Sequence, residues 1–115
     1  MATIETSENA KEEILQTHYY KASYDNIKEL YLEYLKKLGH HIESINDDYS
    51  EVFSTGPHIS VTAKIIMQNP KETSIDFFID AEYLVASKKK AIKFVENTLN
   101  EIAKKYELKG ISLHK

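Results

Sequence analysis

The chain of 115 residues has no cysteine and no arginine, only two prolines and three glycines, and no long apolar run. Without cysteine there can be no disulfide scaffold, no thiolate zinc site and no cysteine nucleophile, and the composition fits a reducing compartment. All fifteen basic residues are lysine, against eighteen acids, giving a net charge of -3. Arginine supplies the bidentate forks that grip phosphates and guanine edges, so its absence argues against base-reading contacts with nucleic acid. A bias towards A- and T-rich codons accounts for the same lysine preference. The apolar stretches are too short to span a bilayer, and the first thirty residues hold no apolar run resembling a signal peptide. A cytoplasmic protein without a membrane span is the expectation.

What the chain does contain is two matched alternations. Ile59, Val61, Ala63, Ile65 and Met67 are answered by Ile75, Phe77, Ile79, Ala81 and Tyr83. A period of two places each set on one face of a pleated ribbon, so the segments predict a β-hairpin with its odd-numbered side chains inward. Pairing like with like at positions summing to 142 sets Met67 against Ile75 and Ile65 against Phe77, with Pro70, Lys71 and Glu72 as the loop. In that register Lys64 faces Phe78, Thr62 faces Asp80 and Ser60 faces Glu82.

The scarce glycines and prolines punctuate the rest. Ser23 or Asp25 caps a helix whose stripe runs through Ile27, Leu30, Tyr31, Tyr34, Leu35 and Leu38, and Gly39 stops it. His41 to Asn46 and Tyr49 to Thr55 read as a strand pair turning at Asn46, Asp47 and Asp48, and Gly56 and Pro57 mark the next reversal. Ser87 opens a second long helix with a stripe through Ala91, Ile92, Val95, Leu99, Ile102, Ala103 and Tyr106. Leu108 to Leu113 adds a short terminal strand. Residues 1–10 are polar and aperiodic and read as a flexible arm, with 11–115 as one α+β domain. The stretch 7–20 is open between helix and strand, and Leu15 to Lys21 favours strand.

The order strand, helix, four-stranded meander, helix predicts an α+β fold with an antiparallel sheet of four to six strands and two helices packed on one face. That order resembles the TATA-binding-protein-like arrangement and, more distantly, a small helix-grip protein. The helix-grip resemblance implies a ligand held between helix and sheet.

Four groups of residues carry candidate chemistry. Lys88, Lys89 and Lys90 put three positive charges into the first turn of a helix whose dipole already makes it electropositive, so together with Ser87 they read as an anion cradle or as a solvated lysine run. Ile66 and Phe78 are apolar misfits on the outward face of the hairpin, worth about 1.5 to 3 kcal/mol each if buried, and with Lys64 they mark a candidate interface. Tyr31, Tyr34, Phe77 and Tyr83 are candidate walls of a pocket for an amphipathic ligand, or ordinary core-edge residues. Asp76, Asp80 and Glu82 share the outward face, where a row of acids reads as a wet surface.

The five histidines offer no metal spacing. His40 and His41 are adjacent and diverge on a strand, and His41 with His58 would be the pair to consider, so no metal, cofactor or catalytic residue is assigned. The functional expectation is a non-enzymatic binding or interaction module, self-associating through its outer sheet face or meeting a protein partner there. The alternative is a small carrier of an amphipathic or anionic ligand. A hydrolase or isomerase built on a histidine and carboxylate pair comes third.

Overall fold

A computed structural model describes residues 1–114. Seven strands and two helices follow in the order β1 (Ala2–Glu5), β2 (His18–Tyr20), α1 (Tyr24–Leu38), β3 (His41–Asn46), β4 (Glu51–Gly56), β5 (Ile59–Asn69), β6 (Glu72–Ala81), α2 (Ser87–Ala103) and β7 (Leu108–Ile111), with a single 3-10 turn at Glu13–Leu15. The class is the expected α+β, with an antiparallel sheet that has seven strands where four to six were expected.

The additional strand comes from the region read as a flexible arm. Ala2–Glu5 pairs with Phe78–Ala81 and buries Ile4, a single apolar residue too isolated to register as a pattern. The strands run in the order β3-β4-β5-β6-β2-β7, and β1 shares with β2 the same edge of β6. The two short strands lie end to end along that edge, β1 on Phe78–Ala81 and β2 on Thr73–Ile75. Residues 6–17 leave the sheet between them.

Local chemistry sets the helix ends. The Ser23 side chain accepts from the Asn26 amide at 3.2 Å, satisfying one of the orphan donors of the first turn of α1. Gly39 takes the left-handed conformation at φ 76°, its amide returns to the carbonyls of Leu35 and Lys36, and the next amide, of His40, returns to Leu35. Ile27, Tyr31 and Leu35, four residues apart, are buried from α1, and Ala91, Phe94, Val95, Thr98, Leu99 and Ile102 from α2.

Both stripes cover the odd-numbered face of the hairpin, where Ile59, Val61, Ala63, Ile65, Ile75, Phe77, Ile79 and Ala81 are all buried. The register differs from expectation by two residues. Opposed positions sum to 140, so Ile65 meets Ile75, Ala63 meets Phe77 and Val61 meets Ile79. An irregularity between Met67 and Asn69 leaves Gln68 without a partner and closes the hairpin on Pro70 and Lys71 alone. Met67, expected inside, is 57% exposed, beyond the reach of the helices.

Candidate functional site

On the face of the sheet turned away from the helices, the register defines three adjacent cross-strand rows that meet at one place. Phe53, Thr62, Phe78 and Glu5 form the first, Glu51, Lys64 and Asp76 the second, and Ile66, Ser74 and Tyr19 the third. The middle row therefore alternates acid, base, acid. Lys64 sits between Glu51 and Asp76, with its ammonium 3.9 Å from Glu51. The flanking rows frame those charges with Phe53, Phe78 and Ile66, each a little over one-third exposed.

These rows floor a cleft of about 630 Å³, walled on one side by Glu5, Thr6, Ser7 and Glu8. Asp76 lies where the edge of β6 passes from β1 to β2, the point at which residues 6–17 leave the sheet. The two threonines that bound the departing segment converge on it. Thr6 donates its hydroxyl to Asp76 Oδ1 at 2.6 Å, and Thr17 donates at 2.8 and 3.0 Å to Oδ1 and Oδ2. Thr6 also stitches the gap to the backbone of Phe77, since its amide donates to the Phe77 carbonyl and its hydroxyl oxygen accepts from the Phe77 amide.

Burial raises the Asp76 pKa above the ordinary carboxylate range, against the lowering effect of the threonine hydrogen bonds and with a further push from Glu8. The expectation of a wet acid row thus fails at Asp76. Nothing in the alternation of β6 could place a cover over it, because the cover comes from the other end of the chain.

Tyr19 closes the cleft at the β2 end. It is 2% exposed on the outward face, donates its hydroxyl to Glu8 Oε1 and meets the His114 ring edge-on at a centroid distance of 5.3 Å. Burial and the Glu8 hydrogen bond both raise its pKa, so the phenol stays protonated. The other Glu8 oxygen is buried without a partner among the described residues.

Of the residues read from the sequence, Lys64, Ile66 and Phe78 all line this one cleft. Their mutual placement is corrected by the register: Lys64 faces Asp76 rather than Phe78, Thr62 faces Phe78 rather than Asp80, and Ser60 faces Asp80 rather than Glu82. Ile66 faces Ser74, whereas the register summing to 142 would make it a diagonal neighbour of Phe78. Sequence reasoning missed Thr6, Thr17, Tyr19 and Asp76. A weak signal existed in Ala2, Ile4 and Thr6, which alternate as a strand does.

The four residues read as pocket walls separate. Tyr31 is fully buried beneath α1 with its ring 6.2 Å from Phe77, whereas Tyr34 and Tyr83 line a smaller cleft on the helical side that neither of them borders. The expected anion cradle is also partly committed elsewhere. Ser87 Oγ accepts from the Tyr83 amide at 2.9 Å, and the Lys90 ammonium lies 4.6 Å from the Tyr83 ring centroid. Lys88 and Lys89 are exposed.

His41 lies 3.7 Å from Glu43 while His58 packs against Tyr83, so the pair does not converge. Among the described residues no group of three or more side chains is placed to hold a metal ion, and no helix is long and apolar enough to cross a membrane. No family model, curated protein or solved structure matches the chain.

Proposed function

We propose that the protein is a binding module that pairs with a second copy of itself through the outer face of its sheet. The observation that carries this reading is the middle row, Glu51, Lys64 and Asp76, framed by Phe53, Phe78 and Ile66. A two-fold interface brings the same patch together from both sides, so the patch must complement itself. With the two-fold axis passing between Glu51 and Lys64, the row does so, because the lysine of each protomer then meets Glu51 of the other. The surrounding apolar side chains supply the desolvated frame in which such pairs are worth most.

Size agrees with this reading. A standard interface takes about 800 Å² from each partner, and a molecule measuring 41 × 29 × 27 Å presents a face of that order. The loop between β1 and β2 stands above one side of the sheet and limits how the copy can approach.

Size-exclusion chromatography with light scattering tests the proposal. The native chain is expected at twice the chain mass, and Ile66→Asp and Phe78→Asp at the chain mass with little change in melting, since both side chains are already partly exposed. A native chain that runs as a monomer at high concentration overturns it, as does an unchanged mass in both variants.

A further inference from the structure

We propose that the smaller cleft on the helical side is a binding site for a compact organic carboxylate with an apolar body. It lies between the C-terminal half of α1, the exposed flank of α2 and the first residue of β5, and has a volume of about 220 Å³. Drug-sized ligands occupy about 300 to 1,000 Å³, so this cleft takes something smaller. It is on the opposite side of the sheet from the self-association face, and the two proposals stand or fall separately.

The cleft is apolar where a ligand body would rest. Phe94 and Ile59 are 8% and 6% exposed, and the ring of His40 lies parallel to Phe94 at a centroid distance of 5.7 Å and an interplanar angle of 9°. Burial lowers the His40 pKa, which keeps the ring neutral near pH 7, and its Nδ1 is buried without a partner among the described residues. The stacked position depends on Gly56, where a Cβ would come within 2.5 Å of the His40 ring. A glycine is thus required for this wall.

The rim carries charge of one sign. Lys90 and Lys93 line the cleft and, among the described residues, no carboxylate does, in a protein whose net charge is negative. Lys93 is held by Glu96 at 2.8 Å, whereas Lys90 rests on the Tyr83 ring with no carboxylate partner among the described residues, so its ammonium can meet a ligand. Lys90, Phe94 and Asn97 follow at intervals of four and three residues, so the ammonium, the aromatic floor and an amide share one face of α2. A carboxylate is costly to bury without a paired charge, and Lys90 with the Asn97 amide answers that requirement at the mouth. The apolar body then covers Phe94 and Ile59.

Benzoate is the probe, titrated into isotope-labelled protein and followed by NMR. The expected result is a saturable shift at Tyr83, Phe94 and His40, and binding at least about tenfold weaker in Lys90→Met, equivalent to about 1.4 kcal/mol. Methionine keeps the apolar stem on Tyr83 and removes only the charge. Asn97→Asp, at an exposed position, should abolish the shifts by placing a carboxylate at the mouth, and benzyl alcohol should bind more weakly than benzoate. The absence of a saturable shift at these residues overturns the proposal. So does equal binding of benzoate by the native chain and both variants, or equal binding of benzoate and benzyl alcohol.

Discussion

The hydroxyl of Thr17 donates to both carboxylate oxygens of Asp76, at 2.8 and 3.0 Å, across 59 residues of sequence. The contact joins the residue before β2 to the middle of β6, where that edge of β6 passes from β1 to β2. Thr17 is 2% exposed and Asp76 is half-buried, so this is a part-buried hydrogen bond to an acidic group. Thr17→Val should therefore cost about 1 to 3 kcal/mol in urea denaturation and drive the Asp76 pKa higher still in an NMR titration. A variant as stable as the native chain, with Asp76 titrating unchanged, would show that the contact does not hold the break together.

Asp76 also gives a pH dependence with a defined sign. Its folded pKa lies above the ordinary 3.8, so the folded chain holds this proton more tightly than the unfolded one. The stability linked to it is fully present below 3.8 and is lost as pH rises through the folded value. Asp76→Asn does not titrate. Between pH 3.5 and pH 7 the stability difference should therefore move in favour of the asparagine variant, measured by urea unfolding at both ends. Movement in favour of the native chain would contradict the burial argument.

The hairpin register can be fixed by crosslinking, which is clean in a protein with no native cysteine. Ser60 and Asp80 are direct partners, so their Cα atoms fall within the range a disulfide spans, about 4.4 to 6.8 Å. Ser60→Cys with Asp80→Cys should oxidise rapidly under mild conditions. Ser60→Cys with Glu82→Cys should not, because a diagonal pair lies about 7 to 8 Å apart. The opposite ranking would restore the register in which positions sum to 142.

His40 titrates in the other direction from Asp76. Burial lowers its pKa below 6.5, so the stability it contributes is present above that value and is lost as pH falls through the lower folded pKa. His40→Phe preserves stacking on Phe94 and removes the titration. On going from pH 7.5 to pH 5 the variant should lose less stability than the native chain in thermal or urea unfolding, and identical losses would exclude His40 as a source of acid sensitivity.

Much of the fold is legible in the chain because its signals are local. The alternation from Ile59 to Ala81 reports which side chains are buried, and Ser23 and Gly39 mark the ends of α1 through hydrogen bonds made within a few residues. The register is not local in the same way. Both candidate pairings satisfy the alternation, and the choice turns on the irregularity at Gln68, which no residue type announces. Met67 extends the apolar pattern past the end of the covered surface, and that favours the wrong sum.

The candidate cleft was legible in part. Lys64, Ile66 and Phe78 stand out as departures from a wet strand face, and all three reach the same cleft. Asp76 does not stand out, since its burial depends on Thr6, from a segment whose polarity reads as an arm, and on Thr17, from the stretch open between helix and strand. Tyr31 and Phe77 carry the same apolar signal whether they line a cavity or fill a core, and here they pack on each other.

Self-association through the outer face is tested most directly by two charge reversals and their mixture. In Lys64→Glu the middle row is all acidic, and in Glu51→Lys both positions carry lysine, so each variant should repel its own copy and run at the chain mass in light scattering. Mixed in equal amounts, the two should form a heterodimer at twice that mass, because positions 51 and 64 are both acidic in one chain and both lysine in the other and so pair across the interface. Either variant remaining dimeric alone, or a mixture that stays monomeric, would contradict the account.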